Sequence, residues 1–364
     1  MMFRINISIL FLLISTFNVN ALEKCKWNNQ IGIPCVAINK TPNTSSVNEQ
    51  GVNKIIITKE DIINSGALDT IDILKLIPGL DVFQSGQRGQ QTSIFTRGSE
   101  SNHTLVLLNG IAINDQSVTD GLHNFGQDFV KTIQQIEIYK GANGAHFGPS
   151  AIAGAINFIT DVDYINSYSI SGNTFQNYFR NNSIDGNYTK ITDNEWHLNL
   201  KASATQSETN SAIAKGHEDD SAKNYQVNLN AIKWLNDNLK FKSTYYSRKT
   251  KADYDGSSTN EKGYVANDKM YALQSALQHK TKNSYSDLTF HYHNYDREYD
   301  NATYLDEYDS ESIVIKGERS INLSDKLSFG YGSEYKYDWG AFENRGSYTA
   351  STKGHMKDLG LFTN

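Results

Sequence analysis

The chain has 364 residues, of which 38% are hydrophobic, 20% charged and 11% aromatic, and its formal net charge is −6. This balance excludes a polyelectrolyte and general disorder. Acidic and basic residues are interspersed, which argues against a nucleic-acid partner. After residue 21 no apolar run approaches the ~18 residues of a membrane helix, which excludes a multi-helix membrane protein. All four prolines precede residue 150, whereas all but one of the 21 tyrosines follow residue 163. We therefore expect two architectures in one chain.

Residues 1–21 have the features of an export signal. One basic residue, Arg4, precedes the apolar stretch Ile5–Phe17, and small or apolar residues stand before the expected cleavage point. This arrangement predicts a secretory signal peptide. The stretch is too short, and too rich in Asn and Ser, for a membrane anchor. We expect the mature chain to begin at Leu22, outside the cytoplasm.

The next segment, residues 22–54, holds both cysteines of the chain. In an oxidising compartment Cys25 and Cys35 are expected to form a disulfide that closes a short loop. A two-ligand metal site is the alternative, but the sequence has no histidine nearby. Residues 36–56 are rich in Asn, Thr and Ser without periodicity, and indicate an extended linker.

Residues 55–162 alternate short helical and short extended patterns. Thr58 and Asp61 have the spacing of a capping box that opens a helix over 61–65. Asp69 can cap a second helix, which Pro78-Gly79 ends. Apolar runs then predict five strands, at 80–83, 93–96, 104–108, 133–139 and 155–159. The pattern indicates a small α+β domain.

Four blocks of this domain carry a resemblance to a known family. They are IIITKEDI, LKLIPGLDVF, SIFTRGSESNHTLVLLNGIAIND and IQQIEIYKGANGAHFGPSAIAGAINFIT. Their order and spacing resemble the plug domain of TonB-dependent outer-membrane receptors. Within that family the third block is most similar to receptors of the vitamin B12 type. Ferric-siderophore receptors share enough of the block to remain the alternative.

The resemblance implies a plug that is held in a barrel by polar contacts and released on demand. Such contacts suit release better than an apolar interface does. Arg97, Glu137 and Lys140 are the residues expected to make them. The family usually has arginine at the position of Lys140, and the lysine weakens the case for a bidentate contact with a carboxylate.

From residue 163 to residue 364 the pattern changes to long alternating segments without proline, which suits uninterrupted β-ladders. Apolar and polar residues alternate with a period of two in Trp196–Ala204, Tyr225–Ala231, Leu239–Ser243, Tyr271–Leu277 and Leu327–Tyr331. Segments of about ten such residues, with aromatic residues near their ends, are typical of a membrane β-barrel. A soluble β-sandwich is the rival, and the plug-like domain before these segments favours the barrel.

The expected number of strands is small for a receptor barrel. About ten strands fit this part of the chain, whereas a barrel that encloses a plug needs about 22. An open sheet edge in lipid would leave backbone groups unpaired. The predicted fold class is therefore an α+β plug domain followed by an incomplete antiparallel transmembrane β-barrel. We expect the sequence to be a C-terminally truncated fragment.

In receptors of the resembled family the ligand rests on plug loops that face the exterior. By position these are Gln84–Gln91, rich in amides and hydroxyls, and a second loop at Asn114–Gln116. The predicted binding residues are Ser85, Gln87, Arg88, Gln90, Gln91, Asn114 and Gln116. Such groups suit a large, polar, nearly neutral ligand. A cobalamin-type corrinoid is therefore favoured over a ferric siderophore, because a catecholate siderophore would favour several cationic residues.

No catalytic constellation is present in the sequence, so we expect a protein that is not an enzyme and that has no resident cofactor. His291 and His293 lie two apart on one strand face and could bind a metal, but such a pair more commonly faces water or the lumen. Glu218-Asp219-Asp220, Asp253 and Asp255 fall in expected loops. Acidic loops bind calcium in some members of the resembled family, and an ordinary solvated loop is the alternative.

Transport across an outer membrane needs an outside source of energy. The resemblance implies coupling to TonB of the inner-membrane motor complex, through an N-terminal segment that pairs with TonB as an added strand. Val36, Ala37 and Ile38 occupy the matching place, and an ordinary linker is the alternative. The resulting hypothesis is a TonB-dependent receptor in the outer membrane of a Gram-negative bacterium, surrounded by its lipid. A porin or adhesin would have no plug, and a secreted hydrolase would need a catalytic site.

Overall fold

The computed structural model describes residues 53–118, 121–141, 147, 150–160, 165–176, 180–211, 219–255, 264–301, 303–324, 327–346 and 349–363. The predicted signal peptide, the pair Cys25 and Cys35, and the predicted TonB-coupling residues 36–38 lie outside the described residues. So does Glu218 of the first acidic loop.

The first part of the described chain is built from short elements. The strands are β1 (Asn53–Thr58), β2 (Leu80–Gln84), β3 (Thr92–Thr96), β4 (Thr104–Leu108), β5 (Ile111–Ala112), β6 (Gln135–Lys140) and β7 (Gly154–Ile159), and the helices are α1 (Lys59–Ser65) and α2 (Thr70–Leu74). The predicted capping box is confirmed, because Thr58 and the Asp61 side chain satisfy each other's backbone at the start of α1. Asp69 caps α2 by accepting a hydrogen bond from the Asp72 amide. No helix among the described residues has the length and apolar character needed to cross a membrane.

These elements form one five-stranded sheet and one hairpin. The sheet order is β1-β6-β7-β4-β5, and β2 pairs with β3 apart from it. β4 and β7 run parallel, and the other neighbours run antiparallel. Residues such as Leu74, Ile94 and Ile136 are completely buried between the sheet and the helices. We call this unit, residues 53–160, the plug unit.

The second part is one antiparallel sheet of ten long strands, which confirms the number expected from the alternation. They are β8 (Ser167–Gln176), β9 (Arg180–Ile191), β10 (Trp196–Asn210), β11 (Asp219–Trp234), β12 (Leu239–Asp253), β13 (Val265–Lys280), β14 (Ser284–Asp300), β15 (Leu305–Ser324), β16 (Leu327–Arg345) and β17 (Ala350–Thr363). Each strand pairs with its neighbours in sequence, from β8 at one edge to β17 at the other.

The two faces of this long sheet have reversed polarity compared with a soluble domain. On β11 the apolar residues Tyr225 and Leu229 are 52% and 44% exposed, whereas the polar residues Asn224 and Asn228 are completely buried. The polar face is buried because the plug unit packs against it, and the core includes Tyr246, Met270 and Tyr295 of the long sheet. An outward apolar face and an inward polar face are the arrangement of a membrane barrel wall.

Candidate ligand-binding site

The two ends of the long sheet differ in the length of their connections. At one end the connections between the long strands are all short, as in 235–238 and 281–283, whereas the other end has the two longest connections, 211–218 and 254–264. In membrane barrels the longer loops face the exterior and the short turns face the periplasm. We call the end with the longer connections the long-loop end.

The first predicted binding loop lies at the long-loop end. The Gln90 side-chain amide donates a 2.8 Å hydrogen bond to the carbonyl oxygen of Asp253, the last residue of β12. Gly89 has a positive φ of +85°, and a Cβ there would crowd the side chains of Ala222 and Ala252 on the long sheet. A glycine is therefore required where the loop approaches the sheet.

The second predicted loop lies at the same end. Asp115 is buried and accepts a 2.9 Å hydrogen bond from the hydroxyl of Ser310 on β15. Its other carboxylate oxygen lies 3.0 Å from Nε of Arg297 on β14. Gly340 on β16 leaves room for the backbone of Gln116, because a Cβ at that position would overlap the Gln116 carbonyl oxygen. The structure thus brings both predicted loops to one end of the sheet.

Three of the predicted binding residues make hydrogen bonds or ion pairs with other residues of the chain. Gln90 binds the long sheet as described, and Arg88 pairs with acidic residues of the plug unit. Asn114 accepts a 2.9 Å hydrogen bond from the Val106 amide and donates one of 2.9 Å to the Gly121 carbonyl. Side chains that are satisfied in this way hold the loops in place. A ligand role for any of the three remains a prediction.

The other four predicted residues are more accessible. Ser85 is exposed, and the side chains of Gln87, Gln91 and Gln116 are half-buried. The first loop is closed at its base by a 2.9 Å hydrogen bond from the Ser85 amide to the Gln91 carbonyl. These four side chains offer amide and hydroxyl groups that a ligand can reach.

Arg88 carries the only formal charge of the first loop, and that charge is neutralised within the plug unit. Its guanidinium contacts the carboxylates of Asp69 and Asp72 around the start of α2. Burial raises the pKa of Asp69, and Arg88 opposes that shift. Although burial also disfavours its charge, the two acids hold the pKa of Arg88 above its ordinary value. The first loop therefore presents little net charge to a ligand.

A row of aromatic side chains lies on the plug-facing face of the sheet at the long-loop end. We call it the aromatic row, and its members are Tyr254, Tyr264, Tyr299, Tyr308 and Phe342. Consecutive ring centroids are separated by 5.3 Å, 5.9 Å, 6.0 Å and 4.8 Å when the order is Tyr264, Tyr254, Tyr299, Tyr308, Phe342. All five are half-buried. Such a row offers a large apolar area with polar hydroxyl edges.

The aromatic row was not predicted from the sequence, although strand parity carries a signal for it. Tyr299 has the same strand parity as His291 and Arg297, which lie on the polar face of β14. The aromatic residues near strand ends served only as an indication of a membrane β-barrel, without regard to the face on which each one lies. Separating them by parity would have placed Tyr299 and Tyr308 inside the lumen.

Arg297 links the second loop to the aromatic row. Its guanidinium carbon lies 4.7 Å from the ring centroid of Tyr308 and 5.9 Å from that of Tyr299, while its Nε faces Asp115. A cation over a ring face is attracted by the ring's quadrupole. The charge of Arg297 is thus balanced by a plug carboxylate and covered by two tyrosines.

The contacts of Glu137 and Lys140 among the described residues lie within the plug unit, and the plug–barrel contact expected of Arg97 remains a prediction. Glu137 pairs with Lys54 at 2.8 Å and accepts hydrogen bonds from Tyr139 and Asn157, all within the plug unit. Lys140 donates a 3.0 Å hydrogen bond to the Pro78 carbonyl, also within it. Glu137 lies on β6 between β1 and β7 of the five-stranded sheet, so side chains of these neighbouring strands pair with its charge. The backbone of Arg97 has a positive φ of 52° and its side chain is exposed.

Contacts between the plug unit and the long sheet are made by other polar residues. Side chains of the sheet donate to plug carbonyls, as Gln226 does to Phe129 at 2.9 Å and Asn230 to Thr160 at 3.1 Å. Ion pairs add to these, among them Arg248 with Asp128. Sequence patterns did not indicate these partners, because Asn, Gln and Arg on the polar strand face look the same whether they meet water or a plug.

The histidine pair faces the plug rather than open water. His291 and His293 are 1% and 2% exposed, and their ring nitrogens Nε2 and Nδ1 lie 3.1 Å apart. Within the described parts of the chain, no group of three or more His, Cys, Asp or Glu side chains is arranged to hold a metal ion. Of the acidic loop residues, Asp253 accepts from Ser221 and Asp255 from Ser211. Calcium binding at these loops remains a prediction.

Comparison with known proteins agrees with this geometry. Residues 46–155 match the family model of the TonB-dependent receptor plug domain. The vitamin B12 transporter BtuB of Vibrio vulnificus (strain CMCP6) is 43% identical over 105 residues, which are 29% of this chain and 17% of that protein.

The fold is similar to that of solved receptors. The ferric citrate transporter FecA in its unliganded form gives a TM-score of 0.66 at 14% identity, covering 85% of this chain and 53% of that one. The siderophore receptor PiuA from Acinetobacter baumannii gives 0.60 at 15% identity, covering 85% and 52%. The chain thus spans about half the length of these receptors, and the likeness at this identity is one of fold.

The plug and the long sheet together define what the chain contains. Residues 46–155 carry a plug domain of the kind found in TonB-dependent receptors. The ten-stranded antiparallel sheet that follows is similar in fold to part of the barrel of such a receptor.

Proposed function

We propose that the receptor takes up a cobalamin-type corrinoid through the outer membrane by TonB-driven movement of the plug unit. The observation that carries this proposal is the 43% identity of the plug region to a vitamin B12 transporter. The chain covers only a small part of that protein, so the site geometry must supply independent support.

The charge of the site supports a nearly neutral ligand. The two arginines that reach the predicted loops, Arg88 and Arg297, are both paired with carboxylates of the plug unit. A highly anionic chelate would have to compete with those carboxylates for its cations. The accessible groups of the predicted residues are the hydroxyl of Ser85 and the amides of Gln87, Gln91 and Gln116. Amides and aromatic rings bind a large ligand whose surface mixes apolar area with neutral hydrogen-bonding groups.

A ferric siderophore is the alternative ligand class. The solved receptors of similar fold include a ferric citrate transporter and a siderophore receptor. Because that likeness lies below 16% identity in both cases, it supports the fold and leaves the ligand open.

Binding measurements distinguish the two classes. The full-length receptor in detergent is titrated calorimetrically with cyanocobalamin and, separately, with a ferric catecholate. We expect cyanocobalamin to bind more tightly. Tighter binding of the catecholate would establish the alternative, and binding of neither would reject both ligand classes.

The aromatic row gives a matched test of the site itself. Tyr308→Ala is expected to weaken cyanocobalamin binding about tenfold, because it removes a large contact area next to the second loop. Tyr271→Ala is the control, since Tyr271 is an exposed tyrosine of β13 that lies on the outward face. Equal affinities of the two variants for cyanocobalamin would show that the aromatic row is not part of the binding site.

The energy source is proposed to be TonB, which would bind Val36, Ala37 and Ile38 as an added strand. A proline within such a strand lacks the amide donor that strand pairing needs. Ile38→Pro is therefore expected to abolish uptake of labelled cobalamin by cells while leaving binding in detergent unchanged. Asn48→Pro, in the following linker, serves as the control. Unchanged uptake by the Ile38 variant would show that residues 36–38 are not the coupling segment.

A further inference from the structure

Five buried charged side chains meet where the plug unit contacts the long sheet. They are Asp115 and Asp128 of the plug unit and Arg248, Asp268 and Arg297 of the sheet, with exposures of 3%, 4%, 2%, 3% and 6%. Three carboxylates thus share two guanidinium groups. The cluster has one carboxylate more than its arginines can pair one to one.

Both arginines are directed at the plug unit. Arg248 on β12 contacts Asp128 through Nη1, and the other oxygen of Asp128 lies 2.6 Å from Nε2 of His123. Arg297 on β14 contacts Asp115 through Nε at 3.0 Å. With the plug seated, each wall arginine therefore has a plug carboxylate as its closer partner.

Asp268 is the carboxylate left over. It lies on β13, between the strands of the two arginines, and it is directly opposite Arg297 in the strand register. Its Oδ1 lies 3.6 Å from Nη2 of Arg248, beyond hydrogen-bond distance. Neither of its oxygens has a hydrogen-bond partner among the described residues. A buried carboxylate without hydrogen bonds is costly, so its presence requires a physical reason.

We propose that Asp268 is the reserve partner of Arg248 and Arg297, which receives both guanidinium groups when the plug unit moves away. This inference rests on the proposed function, because it assumes that the plug moves during transport. Withdrawal of the plug removes Asp115 and Asp128 from the wall and would leave the cations on β12 and β14 without a plug carboxylate. Asp268 prevents that state, at the expense of an excess carboxylate while the plug is seated. Asp268 is thus a positioning residue for plug movement.

A reserve-partner role and a purely supporting role of Asp268 predict opposite effects of its neutralisation on how firmly the plug is held. If Asp268 only stabilised the seated plug, its neutralisation would loosen the plug. As a reserve partner, Asp268 raises the free energy of the seated state and lowers that of the withdrawn state. Asp268→Asn leaves two carboxylates for two arginines with the plug seated, and two unpaired arginines after withdrawal. Both changes hold the plug more firmly.

Plug movement can be followed without ligand or TonB. Ser312 on β15 is completely buried on the plug-facing side of the sheet, and its hydroxyl has no hydrogen-bond partner among the described residues. A Ser312→Cys variant is labelled with a maleimide in detergent, in a background carrying Cys25→Ser and Cys35→Ser. The labelling rate then measures how frequently the plug uncovers this position in the full-length receptor.

Asp268→Asn is expected to slow this labelling about tenfold or more, the factor that corresponds to one lost charged hydrogen bond. Asp268→Ser carries the same expectation should the asparagine variant fail to assemble, and Asp268→Glu should label at nearly the unsubstituted rate. The control is Asp296→Asn, which neutralises an exposed partner of Lys269 on the outward face of β14. Unchanged or faster labelling of the neutral Asp268 variants would overturn the proposal. Cyanocobalamin binding by the unsubstituted receptor tests the proposed function separately.

Discussion

Tyr295 and Ile113 join the long sheet to the plug unit by a single buried hydrogen bond. The phenolic hydroxyl of Tyr295 on β14 donates to the carbonyl oxygen of Ile113 at 2.6 Å, and both residues are 2% exposed. Ile113 directly precedes the second predicted binding loop. The position of that loop is therefore fixed from the wall of the sheet as well as from within the plug unit.

Removal of this hydroxyl should loosen the plug without disturbing the sheet. Tyr295→Phe leaves a buried carbonyl without its donor, which costs about 1–3 kcal/mol. We expect a lower urea midpoint for plug unfolding. Hydrogen exchange of the plug amides in detergent measures that midpoint. Tyr292→Phe is the control, because that hydroxyl makes a 3.4 Å contact with Glu311 on the outward face. Equal midpoints for the two variants would contradict the assigned role of Tyr295.

Arg88 is expected to act through stability rather than as a direct ligand contact. Arg88→Gln leaves the buried carboxylate of Asp69 without its cation, a change that costs about 3 kcal/mol. We expect faster hydrogen exchange across the first loop and α2. The matched surface variant is Arg180→Gln, whose partner Glu208 lies in an exposed ion pair worth less than about 1 kcal/mol. If Arg88→Gln weakened ligand binding with unchanged exchange, Arg88 would be a ligand residue after all.

Much of the fold follows from the sequence because its signals are local. The capping box at Thr58 and Asp61, the turn-bounded strands of the plug unit and the period-two alternation of the long strands all involve near neighbours. The domain order could be predicted for the same reason.

The plug–sheet contacts could not be predicted because they join residues far apart in sequence. Arg248 and Asp128 are separated by 120 positions, and Tyr295 and Ile113 by 182. Glu137 was expected to face the barrel, yet Lys54 and Asn157 satisfy it from neighbouring strands of the plug sheet. Strand parity shows which face a residue occupies. Only the sheet order and register show which partner it meets there.

Gly340 provides a test of the second binding loop. The backbone of Gln116 lies against Gly340 so closely that any Cβ would overlap its carbonyl oxygen. Gly340→Ala should therefore displace the loop and weaken ligand binding about tenfold, since a well-packed contact tolerates added atoms poorly. Gly354→Ala is the matched control, because Gly354 is the register partner of Gly340 on β17 and has open space at its Cβ position. Equal binding by both variants would show that the loop is not part of the site.

The stability of the plug unit should depend on pH through Glu137. Burial alone would favour its protonated form, but hydrogen bonds from Lys54 and Asn157 hold the pKa of Glu137 below its ordinary value. A carboxylate with a lowered pKa stabilises the folded state fully above its unfolded pKa of about 4.3, and this contribution is lost as the pH falls through the folded value.

We therefore expect the free energy of plug unfolding to fall as the pH drops below about 5, and Glu137→Gln to reduce that fall. The variant should also be less stable than the unsubstituted protein at neutral pH, by about 1 kcal/mol, because it loses a half-buried ion pair. Glu60→Gln, exposed on α1, is the control for a general change of charge. Urea unfolding at a series of pH values gives the free energy of plug unfolding for the unsubstituted protein and for the Glu137 and Glu60 variants. Parallel pH profiles for the two variants would show that Lys54 does not hold the charge of Glu137 in the folded plug.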